Sequence, residues 1–269
     1  MLFRSMPYIL EQAAALLKDF RQMILVGAEA PRTYFAHPTK GTMPTAANCE
    51  IYALAVAGED YSAALVELAD ALGGAPVAAR EIARPAIPVG AITIAGLAAA
   101  VAAVLPEGAI VVDESMTSGR GLMEATAGGA PHDWLANTGG SIGIAMPLAV
   151  GAAVACPERR VLCLSADGSG MYTSQALWTM AREKLNVTTV IYANRVYGVL
   201  KREFASLGIG EPGARALDMF EIGRPEIDWV ALAKGMGVRA VRATSLEDFA
   251  GALRDGFAEA GPSLIQVDL

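Results

Sequence analysis

The sequence has few charged residues, few aromatic residues and few cysteines. Charged residues make up 18% of the 269 residues and hydrophobic ones 54%, which excludes a disordered tail, a collagen and a coiled-coil rod. The 21 basic residues form no run and are outnumbered by 28 acidic ones, giving a net charge of -7, so we predict no nucleic-acid partner. Cys49, Cys156 and Cys163 form no CxxC, which argues against a disulfide framework or a zinc site and predicts a cytoplasmic chain.

The sequence also lacks a segment typical of membranes. Two uncharged runs, Val89 to Pro106 and Trp134 to Pro157, approach the roughly 20 apolar residues that span a bilayer. Both are rich in alanine and glycine and contain or end in proline, which is more typical of buried helices that cover a parallel sheet. The opening MLFRS is too short and polar for a secretory signal. We therefore predict no contact with a membrane.

Strand-like and helix-like runs alternate along the chain, as in a parallel α/β sheet. The first part predicts a helix over 6–20, a strand over 22–27, a loop over 30–48, a strand over 49–56 and a helix over 60–72. Residues 73–90 carry three prolines and no clear period, which predicts an interdomain linker. Residues 1–72 are thus predicted to be a partial α/β domain.

Residues 91–269 are predicted to be a second α/β domain, with a parallel sheet between two layers of helices. Strands are predicted to begin at 109, 160, 186, 238 and 263. Helices are predicted over 92–105, 142–156, 173–184, 228–237 and 245–259, with a further helical stretch from 197. The segment around His132 is predicted to be a loop, in which His132 is either a cap or an acid/base group.

Two of these strands end in side chains that can bind a metal. One ends at Asp167-Gly168-Ser169 and the next at Asn194, 27 residues after Asp167. Small residues at a strand-to-helix turn let backbone N–H groups approach a phosphate. A carboxylate there would repel the phosphate unless a cation such as Mg²⁺ lay between them. Because one β-α-β unit fills the 27 residues, adjacent strands would bring both side chains to one metal.

Each of these two residues alone also has an ordinary structural interpretation. Asp167 could cap the following helix, and Asn194 could form an Asx-turn. Their spacing, with each residue at a strand end, favours the metal site.

These segments resemble the diphosphate-binding domain of thiamine diphosphate-dependent enzymes, whose signature is GDG followed further on by NN. Residues 132–183, which include the turn at Asp167, are similar to the catalytic domain of acetolactate synthase large subunits and of benzoylformate decarboxylase. The resemblance extends from Gln22 to Leu269, so it covers the C-terminal part of such enzymes. Two positions depart from the signature, because Ala166 and Ala193 replace the first residue of each motif. The Ala166 methyl group is expected to hinder the tight turn.

The resemblance implies a role for each site residue. It implies that Mg²⁺ is bound by Asp167, Asn194 and the Val196 carbonyl. The residues implied to contact the cofactor are Gly168 and Ser169 at the diphosphate, Glu114, Ser115, Met116 and Thr117 on its far side, Ile142 under the thiazolium, and Gly140 at the aminopyrimidine. Those implied to line the substrate pocket are Tyr197, Leu200 and Phe204.

The implied activity is Mg²⁺- and thiamine diphosphate-dependent decarboxylation of a small 2-oxo acid. Benzoylformate decarboxylase protonates the product, whereas acetolactate synthase joins it to a second 2-oxo acid. Residues 27–40 resemble the central domain of acetolactate synthases and favour the synthase, whereas Asn194 to Gly198 followed by Leu200 favours the decarboxylase. We predict the synthase reaction. FAD is possible but is not predicted, because the chain holds little of the central domain that binds it.

The same resemblance implies that this chain holds half of an active site. In the family, a glutamate that activates the cofactor lies in an N-terminal pyrimidine-binding domain of the neighbouring subunit, and no such domain is found in these 269 residues. We predict that no catalytic residue of that kind lies in the chain, that it is inactive alone, and that it forms a homodimer or tetramer. Alternatives are a subunit of a split enzyme, meeting that domain in trans, and a non-catalytic binding module.

Overall fold

The computed structural model describes residues 6–7, 9–33, 41–75, 82–208 and 210–269. The chain divides into two compact units, Met1–Ala79 and Arg80–Leu269. Within the described ranges, no helix combines the length and the apolar character needed to cross a bilayer.

The first unit is a small α/β segment. Its elements are α1 (Leu10–Leu17), β1 (Gln22–Val26), β2 (Glu50–Ala55) and α2 (Tyr61–Ala71). The strands pair in parallel, and α2 begins where the Asp60 carboxylate accepts a hydrogen bond from the Ala63 N–H at 3.0 Å. Both predicted strands and the second helix are confirmed. The first helix is shorter than predicted, and part of the predicted loop lies outside the described residues.

The second unit contains a six-stranded sheet and the helices that cover it. The strands are β3 (Ala109–Glu114), β4 (His132–Ala136), β5 (Val161–Ala166), β6 (Val187–Ala193), β7 (Arg239–Ala243) and β8 (Ser263–Asp268). The described helices are α3 (Ile94–Val104), α4 (Leu122–Thr126), α5 (Ala145–Ala155), α6 (Asp167–Gly170), α7 (Ala176–Arg182), α8 (Gly198–Ser206), α9 (Ala214–Phe220), α10 (Trp229–Gly235) and α11 (Leu246–Ala258).

The sheet is parallel throughout, with the strand order β4-β3-β5-β6-β8-β7. Helices α3, α4 and α11 contribute to the core on one face, and α5, α7 and α10 contribute to the core on the other. Every residue of β5 and β6 is buried, because helices cover both sides of the central strands. This burial explains why the two strands are mostly apolar rather than alternating between apolar and polar residues. The predicted three-layer parallel α/β fold is confirmed.

The strand order reverses next to β5. The chain leaves β3 for β4 on one side, and it leaves β5 for β6 on the other. The carboxyl ends of β3 and β5 therefore meet where successive connections diverge. Open α/β sheets bind their ligands at such a switch point.

The segment around His132 was predicted to be a loop, and this is wrong. His132 begins β4, and its Nδ1 lies 2.7 Å from the Ala130 carbonyl oxygen. β4 is a short edge strand with no buried residue, so its sequence has no apolar pattern that indicates a strand. Helix α5 also begins later than predicted, at Ala145, because Gly143 has a left-handed backbone with φ +87°.

The described part of the predicted linker, 73–75 and 82–90, makes specific contacts near its end. The Arg84 guanidinium donates to the Leu105 carbonyl at 2.7 Å, and Ile87 packs against the core. The Gly90 N–H donates to both carboxylate oxygens of Glu247, at 3.0 and 2.9 Å. Residues 82–90 therefore pack as part of the second unit, and the predicted boundaries at 72 and 91 stay predictions.

The three cysteines are expected to differ in reactivity. Cys163 is fully buried in β5, and burial raises the pKa of its thiol well above the usual range, whereas Cys49 and Cys156 are partly exposed. Because the thiolate is the reactive form, iodoacetamide at pH 8 should label only Cys49 and Cys156 in the native chain. Mass spectrometry of the labelled chain checks this. Labelling in urea should reach all three thiols, and only two in Cys163→Ala; rapid native labelling of Cys163 would contradict the assignment.

Candidate functional site

A cleft of about 270 Å³ opens at the carboxyl ends of β3, β5 and β6. The predicted site residues that line it are Met116, Thr117, Ile142, Asp167, Gly168, Ser169, Asn194, Val196, Tyr197 and Leu200. A larger and more open depression of about 760 Å³ runs along β7 and α11, but it contains none of the predicted residues. The smaller cleft is therefore the candidate site.

Asp167 links the turns that follow β5 and β6. It is the first residue of α6 and is only 3% exposed. One carboxylate oxygen accepts the Gly168 N–H at 2.8 Å, and the other accepts the Arg195 N–H at 2.7 Å. Burial raises the pKa of Asp167, and the two N–H groups partly oppose this effect. The adjacency of the two strands, with Ala166 opposite Tyr192, is as predicted.

Asn194 connects the turn after β6 to the loop after β3. Its side-chain NH₂ donates to the hydroxyl oxygens of Ser118 at 3.2 Å and Thr117 at 3.4 Å. Its side-chain oxygen accepts the Val196 N–H at 3.1 Å. The Val196 carbonyl accepts the Gly198 N–H at 2.8 Å. The two turns and the loop thus form one hydrogen-bonded unit around the cleft.

Gly168 is required by close packing of the turn. A Cβ atom at this position would lie 2.8 Å from Cε1 of the Tyr197 ring. Ala166, by contrast, has an extended backbone with φ −81° and ψ 156°, which any L-residue adopts without strain. The expectation that its methyl group hinders the turn is therefore wrong, because the tight position is one residue further on.

The loop after β3 brings only part of its predicted residues to the cleft. Met116, with φ 53°, and Thr117 line it. Ser115 is 1% exposed, and its N–H and hydroxyl both donate to the Asp113 carboxylate. Glu114 instead accepts the N–H groups of Gly143 and Ala145, at the beginning of α5. Glu114 and Ser115 therefore do not line the cleft.

Of the remaining predicted site residues, some line the cleft and others lie outside it. Ile142 is 43% exposed and lines the cleft together with Tyr197 and Leu200. Gly140 has a left-handed backbone with φ +68° and lies outside the lining. Phe204 packs edge to face on Phe220, with ring centroids 6.1 Å apart, and is also outside it. Phe204 is thus placed to hold α8 against α9.

Sequence reasoning missed three contributors. Ser118 is 3% exposed and accepts from the Asn194 amide, and Tyr172 lines the cleft. Arg195 supplies its N–H to Asp167, while its guanidinium pairs with Glu226 at 2.6 Å and Asp268 at 3.0 Å. A polar run after β3 was the one available signal for Ser118. The ion pairs of Arg195 join distant parts of the chain, so no local sequence pattern indicates them.

The oxygen ligands and the backbone N–H groups around the cleft fit a magnesium-bound diphosphate. Asp167 and Asn194 place a carboxylate and an amide on adjoining turns, beside the Val196 carbonyl. Mg²⁺ prefers such oxygen ligands combined with substrate phosphates. Gly168 keeps the backbone next to the cleft free of a side chain, which lets N–H groups approach an anion.

The second unit is a parallel sheet between two layers of helices, with a buried carboxylate and a glycine in the turn at its switch point. These features define an α/β ligand-binding domain. Residues 121–267, more than half of the chain, match the family model described as the thiamine pyrophosphate enzyme, C-terminal TPP binding domain. The chain belongs to this family, which confirms the resemblance found in the sequence.

Individual relatives agree with this assignment. The chain is 50% identical over 266 residues to the putative acetolactate synthase large subunit IlvX of Mycobacterium tuberculosis, covering 97% of this chain and 51% of the relative. It is 34% identical over 165 residues to benzoylformate decarboxylase of Pseudomonas aeruginosa, covering 61% of this chain and 30% of the relative. The chain thus spans about half or less of the length of these curated relatives.

A solved structure supports the same fold. The thiamine diphosphate-dependent 4-hydroxybenzoylformate decarboxylase of Rhodococcus jostii RHA1 superposes with a TM-score of 0.77 at 27% identity. The match covers 98% of this chain and 51% of that protein.

Proposed function

We propose that the chain is the C-terminal part of a thiamine diphosphate- and Mg²⁺-dependent enzyme that decarboxylates small 2-oxo acids and joins the product to a second 2-oxo acid, as acetolactate synthase does. The observation that carries this proposal is the convergence of Asp167, Gly168 and Asn194 on one cleft. The 50% identity to a relative named as a putative acetolactate synthase large subunit favours the synthase reaction.

In this proposal the turns after β5 and β6 hold the charged end of the cofactor. Asp167, Asn194 and the Val196 carbonyl would bind Mg²⁺, while Gly168 and Ser169 would contact the diphosphate. Thiamine diphosphate supplies the carbanion chemistry when bound, and the protein positions it. The Asp167 carboxylate already accepts two N–H bonds, so its orientation is set before a metal arrives.

The apolar side chains of the cleft form the other half of the proposed site. Ile142, Tyr197 and Leu200 line it. They would keep water from the reacting end of the cofactor and surround the substrate. Ile142 and Leu200 are 43% and 53% exposed, which leaves room for a cofactor and a further protein surface to cover them.

A benzoylformate decarboxylase-like reaction is the second candidate. The superposition on a 4-hydroxybenzoylformate decarboxylase with a TM-score of 0.77 and the 34% identity to benzoylformate decarboxylase favour it. The two reactions differ in whether the decarboxylated product meets a proton or a second carbonyl compound.

We further propose that turnover requires a pyrimidine-binding domain, in cis or in trans, that carries the activating glutamate. The half-length match to the relatives supports this proposal. We also propose that the protein is a homodimer or tetramer in the cytoplasm; FAD is possible but is not part of the proposal. If the activating group were absent altogether, the chain would be a binding module.

Calorimetry and product analysis test the proposal. The purified chain should bind thiamine diphosphate with Mg²⁺ and lose this binding in EDTA, because Asp167 would hold the diphosphate only through a metal ion. It should turn over neither pyruvate nor benzoylformate alone. Adding a separately expressed pyrimidine-binding domain from an enzyme of this family should produce turnover. Acetolactate from pyruvate supports the synthase, benzaldehyde from benzoylformate supports the decarboxylase, and turnover by the chain alone overturns the requirement for a partner domain.

A further inference from the structure

Glu114 is a buried carboxylate that makes no contact with the cleft. It ends β3 and is 2% exposed. One oxygen accepts the Gly143 N–H at 2.6 Å, and the other accepts the Ala145 N–H at 2.9 Å. Burial raises the pKa of this carboxyl group, opposed by hydrogen bonds from the backbone of residues 143–145. Both oxygens are therefore committed to a segment 29 and 31 residues away in the chain.

The segment that Glu114 holds is also fixed at other points. The Thr173 hydroxyl donates to the Gly143 carbonyl at 2.6 Å. Gly143 has φ +87°, and a Cβ there would lie 2.6 Å from the Cβ of Tyr172. Gly143 is therefore clamped at three points: its N–H bonds to Glu114, its carbonyl bonds to Thr173, and its α-carbon packs against Tyr172.

Ile142 lies directly before this clamped residue and lines the cleft. Ile142 is 43% exposed, so the packing of its side chain holds it only in part. The backbone hydrogen bonds of the next residues then contribute to its position. Glu114 accepts two of those bonds at the end of β3, an interior strand of the sheet.

We propose that Glu114 is a positioning residue and not a ligand of the diphosphate. It fixes the position of Ile142 in the cleft by accepting the N–H groups of Gly143 and Ala145. This inference rests on the proposed function for its effect on thiamine diphosphate. Its effect on the segment itself does not depend on any ligand.

Glu114→Gln tests the role, because glutamine keeps the size of the side chain but turns an NH₂ group toward one of the two N–H donors. Amide hydrogen exchange of the ligand-free chain should quicken about tenfold or more at Gly143 and Ala145, since a charged acceptor is lost, and stay unchanged in β5 and β6. Unchanged exchange at Gly143 and Ala145 overturns the proposal.

Glu247→Gln is the matched control. Glu247 likewise accepts a backbone N–H with its carboxylate, that of Gly90, and it lies outside the cleft lining. This variant should leave exchange at residues 143–145 and thiamine diphosphate affinity unchanged.

Calorimetry with Mg²⁺ and thiamine diphosphate tests the consequence for the cofactor. Glu114→Gln should weaken binding about tenfold, as loss of a supporting contact to a ligand-binding group does. In an Ile142→Ala background the same change should cost about threefold or less, because the two residues act through one contact chain. An undiminished loss in that background would mean that Glu114 acts on the cofactor directly, and it overturns the proposal. If the unaltered chain binds no thiamine diphosphate, the proposed function fails, while hydrogen exchange still decides whether Glu114 positions the segment.

Discussion

Replacing Asp167 by alanine is expected to weaken binding of Mg²⁺ and thiamine diphosphate by about 100-fold or more, because loss of even a supporting contact to a metal ligand costs about 10–100-fold. Among the described residues that line the cleft, Asp167 is the one carboxylate. Without it, the diphosphate would face the buried turn with no anionic ligand to hold the metal between them. Asp167→Asn, which keeps the size of the side chain, should lose binding to a similar extent.

Calorimetry with and without Mg²⁺ measures this effect, and thermal unfolding with saturating cofactor provides a second readout. A ligand at about 100 times its Kd stabilises the native state by roughly 2.7 kcal/mol, which the variants should no longer show. Asp133→Ala is the control, since Asp133 is 63% exposed and pairs with Arg159 at 2.6 Å on the edge strand. Equal affinities for the unaltered chain and Asp167→Asn would remove Asp167 from the metal site.

Replacing Trp229 by alanine is expected to lower the free energy of unfolding of the second unit by about 3–5 kcal/mol. Trp229 begins α10 and is fully buried. Its ring lies so close to α6 that a Cβ at Gly170 would be 2.8 Å from the ring atom Cη2. The substitution therefore leaves a cavity directly beneath α6, and the turn that carries Asp167 loses its support.

Urea unfolding followed by tryptophan fluorescence measures this loss. Trp134, Trp178 and Trp229, the only tryptophans of the chain, all lie in the second unit. Trp178→Ala is the matched control, because Trp178 is 53% exposed and its described ring contact is with the Arg182 guanidinium, 5.4 Å from the ring centroid. It should change the unfolding free energy by about 1 kcal/mol or less. Similar losses for the two variants would contradict the role assigned to burial.

Strands with strong apolar character could be located from the sequence within one or two residues. β5 and β6 are buried along their whole length and mostly apolar because both faces are covered, and each is followed by a polar residue at the cleft. β4 could not be located, because its exposed position at the sheet edge imposes no apolar pattern. Helices α4 and α9 were missed for a related reason, since five and seven residues are too few to show a clear helical period.

The sequence by itself determined the parallel α/β fold of the second unit, the turn at Asp167 and the proximity of Asn194. All three depend on local composition and on a spacing that one β-α-β unit fills. Only the tertiary structure decided which neighbouring side chains face the cleft. Glu114 and Ser115 are consecutive, yet one reaches Gly143 in the helical layer and the other turns to Asp113. Glu114 is the last residue of β3 and bonds to a segment from a distant part of the chain, whereas Ser115 follows the strand and bonds to a residue two positions earlier. The partner of Glu114 therefore depends on which segment packs beside the end of the strand, and the local sequence does not show this.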